Sequence, residues 1–268
     1  MTAAGPERAG VAAWSVHLPG VAGATLAPGL GSSPAEPAGR AHELLGRKGL
    51  LYKDEATRLA LCAVHRLLRR PPRAPRPAGP PDPRTAVVAS CNLGNVGLVR
   101  EVTDTVRARG GHEVSPLQAP NASSNVVASA VGMWFRWGGP NLLVCSGERS
   151  GFDALAIGGR LLRANRAEQV VVVGCEPSDP VAAALYAASR PGRVLRAAAA
   201  AVLLRPADHA HEPIMVLPED PAPSVDEDFA ADTYGARGVL ELAVTVARTA
   251  NLPCPRQTGD AEVHGAPR

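Results

Sequence analysis

A run of four valines, Val170 to Val173, narrows most sharply what this chain can fold into. Successive side chains of a strand point to opposite faces, so a strand that is apolar at every position needs cover on both sides. Such a strand belongs in a sheet sandwiched between helices. Thr85–Ser90, Leu142–Cys145 and Ala200–Leu204 read as further strands. Helical periodicity fills the gaps between them. Leu59, Cys62, Ala63 and Leu67 share one face over Asp54–Arg69, and Phe152, Leu155, Ala156, Gly159 and Leu162 share one over Ser150–Asn165. Ala119–Trp137 is expected to be largely helical. Helices alternating with fully buried strands predict a layered α/β fold.

The remaining segments are weaker in pattern. Gly10–Pro19 predicts a short first strand, 20–50 a loop region, and Pro71–Pro83, with seven prolines, an extended surface connection. Beyond Arg205 the pattern thins. Ile214–Leu217 is expected to be a strand, Pro218–Asp228 an acidic loop, Gly238–Arg248 a helix and 251–268 a disordered tail.

Composition excludes several classes. Hydrophobic residues reach 46% but aromatics only 3%, so the core must be built from Ala, Val and Leu. A net charge of +3, dispersed along the chain, does not suit nucleic acid. The cluster Arg69, Arg70, Arg73 and Arg76 sits in the proline-rich stretch and reads as solvated loop. Cys62, Cys91, Cys145, Cys175 and Cys254 show no Cys-x-x-Cys spacing and read as free thiols in a reducing compartment. His209 and His211 lack further ligands at a persuasive spacing, so no metal and no cofactor is expected. Met1–Gly10 has no signal-peptide pattern, and no apolar stretch reaches the roughly 18 residues of a membrane helix. A cytoplasmic protein is expected.

The segment richest in chemistry runs from Gly139-Pro140 through Leu142-Leu143-Val144-Cys145-Ser146-Gly147-Glu148-Arg149-Ser150-Gly151 to Phe152-Asp153-Ala154-Leu155. It reads as buried strand, tight turn and the first turn of a helix. A side chain presented there meets free N–H groups and the helix dipole, which activate a cysteine thiolate.

This order of motifs resembles the β-ketoacyl synthases. In that family Gly-Pro precedes a strand, then Thr-Ala-Cys-x-Ser-Gly and a helix. Laid on that pattern without a gap, Glu148 occupies the nucleophile's place and Cys145 falls three residues early, as an inert core thiol within the strand. Lys53-Asp54 through Leu61 resembles the first helix of the family. Ser115-Pro116 through Ala128, with Asn121 and Asn125, resembles the approach to the dimer interface. Gly158 through Glu176 resembles the helix and strand that end in Gly-x-Glu. The resemblance implies a thiolase-like αβαβα fold with a truncated second half. It spans one domain over residues 1–250, with 10–205 well matched and 206–250 reduced.

The family's chemistry is missing. Its catalysis uses a cysteine that carries the chain and two histidines that serve decarboxylation. No His-Gly-Thr-Gly-Thr string occurs, and the glycine-rich Phe-Gly segment is absent. Thr233-Tyr234-Gly235-Ala236-Arg237-Gly238 resembles the Thr-x-Gly-Ala-x-Gly that follows the second histidine, with Asp232 in the histidine's place. The loop after Ser189-Arg190-Pro191 is short, since Arg193-Val194-Leu195-Arg196 runs straight into Ala197.

Within the family, the subgroup most similar is the chain-length factor of type II polyketide synthases, whose helix start resembles Gly151-Phe152-Asp153-Ala154-Leu155. That subgroup usually carries Gln where Glu148 stands. The resemblance implies a subunit without covalent catalysis of its own. It would form a heterodimer with an active ketosynthase, be served by an acyl carrier protein, and wall the tunnel of the growing polyketide or acyl chain. Candidate tunnel and interface residues are Val96, Val99, Val102, Thr103, Leu117, Gln118 and Asn121, although Val96, Val99 and Val102 equally suit ordinary helix core. Glu148 is expected to cap the helix and bond the turn's N–H groups. The alternative is an enzyme, a decarboxylase of malonyl carrier protein or an acyltransferase that uses Glu148.

Overall fold

A computed structural model describes residues 9–27, 30–207, 215–216 and 225–250. The strands are β1 (Ala9–His17), β2 (Thr85–Ser90), β3 (Asn141–Val144), β4 (Gln169–Glu176), β5 (Ala198–Pro206) and β6 (Met215–Val216). The helices are α1 (His42–Leu45), α2 (Glu55–Leu67), α3 (Val96–Arg109), α4 (Val126–Phe135), α5 (Ser150–Arg163), α6 (Pro180–Ser189), α7 (Glu227–Asp232) and α8 (Arg237–Thr249).

All six strands form one sheet in the order β3-β2-β4-β5-β1-β6. β3, β2 and β4 run parallel, whereas β5, β1 and β6 are each antiparallel to their neighbours. The valine run splits as its alternation demands. Val170 and Val172 join Val88, Val202 and helices α5 and α8 on one face; Val171 and Val173 join Val87, Ala201 and helices α2 and α4 on the other. The described residues thus make three layers of the expected five, α/β/α around one sheet. The core beneath α8 holds both Ala9 and Ala247, so the two ends of the described chain meet in it.

Most expected elements appear within a few residues of their predicted bounds. Asp54 starts α2 by accepting the Thr57 N–H at 2.8 Å and the Thr57 hydroxyl at 2.6 Å. Helix α6 had no counterpart in the sequence reading, α1 falls where 20–50 was expected to be loop, and α3 answers only to the helix-core alternative weighed for Val96, Val99 and Val102. The acidic loop predicted over Pro218–Asp228 gives way to helix α7 from Glu227; 218–224 lie outside the described residues, as do His209, His211, Cys254 and the tail 251–268.

The proline-rich connection is exposed, but it is pinned. Proline has no N–H, so the segment cannot join a ladder and its carbonyls need other donors. Arg70 donates to the Pro75 carbonyl and Arg136 to that of Gly79. The Arg76 guanidinium lies 3.5 Å over the Trp134 ring and reaches the Lys48 carbonyl. Arg70 and Arg76 thus hold the loop down, rather than being merely solvated.

A second polar network lies at the end of β1. Arg66 Nε donates to His17 Nδ1 at 3.2 Å, so His17 Nε2 carries the hydrogen that meets the Glu36 carbonyl at 2.9 Å. Arg66 also pairs with the Glu36 carboxylate at 2.6 Å. Burial, helped by Arg66, lowers the His17 pKa to about 3.

Candidate functional site

The parallel strands β2, β3 and β4 all end at one edge of the sheet, and the turn carrying Glu148 lies there. Between β3 and α5 the chain turns through Ser146 and Gly147, the latter at φ 71°, into a single 3-10 turn over Gly147–Arg149. Asn92, just beyond β2, holds the turn in place. Its amide nitrogen donates to the Gly147 carbonyl at 2.8 Å, and its oxygen accepts from the Gly147 N–H at 3.0 Å and the Ser150 hydroxyl at 2.7 Å. The Ser146 N–H is taken by Ser150 Oγ at 2.7 Å.

Those bonds fix the turn without Glu148. Contrary to the expectation, its carboxylate makes no cap bond to α5 and points outward, with 48% of the side chain exposed. Its Oε1 accepts from Arg190 Nε at 3.0 Å and Nη2 at 2.8 Å. The same guanidinium lies 4.4 Å over the Tyr234 ring and 5.3 Å over that of Tyr186. Asp232 is also matched by arginine: Arg193 Nε donates to Oδ1 at 2.9 Å, and Arg196 Nε stands 3.6 Å from Oδ2. The loop 190–196 therefore carries three arginines at every third position, each aimed at one of the two acids singled out by the sequence.

Cys145 is placed differently from the expectation. It follows β3 rather than lying inside it, and it is exposed rather than buried in the core. Its Sγ contacts the Asn92 carbonyl at 3.6 Å. Partial burial, and then the nearby Glu176 carboxylate, push its thiol pKa up, opposite to an activated nucleophile. Cys62, Cys91 and Cys175 are buried free thiols.

The group that ties the site together is Glu176, at the end of β4. It is fully buried. Its Oε2 accepts from the N–H of Gly235 at 2.7 Å and of Asn92 at 3.1 Å, and its Oε1 from the N–H of Leu93 at 2.7 Å. One carboxylate thus joins the turn after β2 to the turn before α8. Desolvation raises its pKa to about 7 against the pull of those three donors. A side chain on Gly235 would collide with it, since a Cβ there would stand 2.4 Å from Oε2. Where α5 and α8 cross, Gly151 and Gly238 meet backbone to backbone, and a Cβ on Gly151 would lie 2.6 Å from the Gly238 nitrogen. The sequence reading caught the Gly-x-Glu and the glycine spacing as resemblances; it missed that Glu176 is the hub.

The tunnel candidates lie along α3 and the segment after it. α3 has no buried residue, so its valines are not core within this chain. Val99 is 39% exposed and Leu117 69%, whereas Val96, Val102 and Thr103 are half-buried. Gln118 is half-buried and donates to Glu101 at 3.0 Å. Asn121 is buried and structural in its contacts: it accepts from Lys53 Nζ at 2.6 Å and donates to the Leu117 carbonyl at 2.9 Å. Among the described residues no group of three or more His, Cys, Asp or Glu side chains is placed to hold a metal, and no helix is long and apolar enough to cross a membrane.

A mixed sheet between helix layers, with a strand–turn–helix at the ends of its parallel strands, defines a thiolase-like fold. The chain belongs to the β-ketoacyl synthase family, whose N-terminal domain model matches residues 46–195. No curated protein matches the sequence. Among solved structures the fold is similar to that of the ishigamide ketosynthase/chain length factor. The TM-score is 0.70 at 19% identity, over 91% of this chain and 92% of that one. A β-ketoacyl synthase from Burkholderia phymatum STM815 gives 0.64 at 16% identity, over 89% and 85%. AntDE:AntF, described as a type II polyketide synthase acyl-carrier protein in complex with its ketosynthase bound to the hexaketide, gives 0.53 at 18% identity, over 76% and 59%.

Proposed function

We propose that this chain is a non-catalytic, chain-length-factor-like subunit of a type II polyketide synthase, working in the cytoplasm as the partner of an active ketosynthase. The observation that carries the reading is the residue at the end of the strand–turn: a carboxylate held by Arg190, in a place where the family carries its acyl chain on a thiolate. A carboxylate cannot form the thioester. Asp232, taken in this reading as the replacement of a catalytic histidine, is likewise matched by arginines. Likeness over nine tenths of both chains to a member of a ketosynthase/chain length factor structure supports the same reading.

The partner's chain would grow along α3, where Val99, Val102 and Thr103 find little cover in this subunit, while Val96 at its start also packs against Ala182, Tyr186 and Leu195. Leu117 and Gln118 would extend that wall, with Asn121 as its support. Edge strand β3 offers a second contact, with Leu142 41% exposed and Met133 of the adjoining α4 68% exposed. An acyl carrier protein would deliver substrate to the partner. Against a decarboxylase or acyltransferase built on Glu148, the carboxylate oxygen already takes two guanidinium hydrogen bonds, and among the described residues no histidine bonds it.

The test is co-expression with a complete ketosynthase encoded beside it. Soluble one-to-one co-purification is expected, with intact-mass spectrometry detecting acyl groups on the ketosynthase alone. An acyl adduct on this polypeptide during turnover would end the proposal.

A further inference from the structure

Cysteines follow one another in a row across the ends of the parallel strands. Ser90 of β2 pairs with Val144 of β3 on one side and with Gly174 of β4 on the other. The next residue along each strand is a cysteine: Cys91, Cys145 and Cys175. The register of β2 on β3 carries on into this row, since the Cys91 N–H donates to the Val144 carbonyl at 3.1 Å, as Val87 donates to Pro140 at the strand's other end. Neighbouring strands lie about 4.8 Å apart, within the Cα separations that a disulfide spans. Cys91 and Cys175 also share a face, both packing in the layer with α2 and α4.

The row has an inner pair and an outer member. Cys91 is 2% exposed and Cys175 is fully buried, whereas Cys145 is exposed. Cys145 Sγ reaches the Asn92 carbonyl, one residue beyond Cys91. Cys91 Sγ donates to Glu176 Oε1 at 3.7 Å. Burial, and next the hydrogen-bonding Cys175 thiol, push the Cys91 pKa well up, so at rest this thiol keeps its proton. Burial also makes Glu176, raised to about 7, a better proton acceptor than an ordinary carboxylate.

We propose that Cys145, Cys91 and Cys175 form a thiol relay that a low-molecular-weight disulfide oxidises from outside, leaving a Cys91–Cys175 bridge. The proposal is independent of the subunit reading. Cys145, as thiolate, attacks one sulfur of R–S–S–R, forms the mixed disulfide and releases RS⁻. Cys91 attacks Cys145 Sγ, expels the second RS⁻ and gives its proton to Glu176. Cys175 then attacks Cys91 Sγ, the bridge moves inward, and Cys145 leaves with the proton that Cys175 gives up. Two thiols of the chain are oxidised, and one small disulfide is reduced to two thiols.

Glutathione disulfide is the probe, applied at about pH 8, near the ordinary thiol pKa, to the full chain carrying Cys254→Ser. Peptide mapping after denaturation and alkylation is expected to find Cys91 bridged to Cys175, Cys145 and Cys62 free, and the bridge reversed by dithiothreitol. Cys145→Ser is expected to slow bridging about tenfold, because glutathione disulfide must then meet a buried thiol directly. Cys175→Ser is expected to stop the relay at a Cys91–Cys145 bridge. The mapping leaves the row unaltered, so it decides the matter even where a serine variant does not fold. Three free thiols in the row would overturn the relay, as would glutathione that stays on Cys145 or a bridge to Cys62. An unchanged bridging rate in Cys145→Ser, with circular dichroism matching wild type, would overturn it too.

Discussion

Two glutamates lie at the ends of the parallel strands, one in the turn after β3 and one at the end of β4, and they are held in opposite ways. Glu148 is half exposed and meets a guanidinium. Glu176 is fully buried and meets three backbone N–H groups with no cation in its bonds. In the reading proposed above the first takes the place of the family's nucleophile; the second holds the neighbouring backbone, at Asn92, Leu93 and Gly235. A surface ion pair contributes little to stability, whereas a buried carboxylate stripped from its donors leaves several polar groups unsatisfied. Under that reading the frame can outlive the nucleophile, because the frame depends on a different residue.

The sharpest way to break that contrast is Glu176→Leu. The N–H groups of Asn92, Leu93 and Gly235 would lose their common acceptor, leaving the Ser90 hydroxyl on the Gly235 carbonyl as a tie between β2 and the turn before α8. A loss of about 3–5 kcal/mol is expected in urea unfolding. A loss under about 1 kcal/mol would show that the hub is not one.

Titration sharpens the contrast, since the two buried groups shift in opposite directions. Glu176 has its folded pKa raised to about 7 from 4.5, so the folded state binds more protons between those values. Its contribution is present below pH 4.5 and is lost as pH rises through 7, by about 3 kcal/mol at most. His17 has its folded pKa lowered to about 3 from 6.5, so there the unfolded state binds more protons. Stability is then lost as pH falls from 6.5 toward 3. Glu176→Gln is expected to flatten the upper arm of the stability–pH curve and His17→Gln the lower arm. If neither variant changes its own arm, these two groups do not govern the curve.

Asp232 falls between the extremes, with 11% of its side chain exposed and arginines on both carboxylate oxygens. Asp232→Asn is expected to cost about 1–2 kcal/mol and to raise hydrogen exchange in the loop 190–196, which loses its anchor. Unchanged exchange in that loop would separate the loop from the acid.

What could be read in advance follows from how locally each feature is encoded. Strands β2 and β4 and helices α2 and α5 were legible because their apolar spacing states which faces are covered. Helix α3 was not, because it buries nothing in this chain and so lacks the stripe that periodicity detects. Helix α6 is mostly small residues, although Asp179 before Pro180 was a usable start signal: Asp179 accepts from the Val181 N–H at 3.0 Å. Glu148 was singled out by position alone, and its partner Arg190, 42 residues away, could not be. The role of Glu176 was further from reach, since its three donors come from two segments that meet only in the folded state.

The smallest effect tests the outer glutamate. Glu148→Gln, Arg190→Gln and the double variant form a thermodynamic cycle, and a coupling of about 0.2–1 kcal/mol is expected, shrinking with added salt. Both side chains keep contact with solvent, at 48% and 26% exposure, so water competes for each charge. The pair matters for where Arg190 lies rather than for how much energy it supplies. A coupling above about 2 kcal/mol would reverse the ranking of the two glutamates and make Glu148 a principal support of the fold.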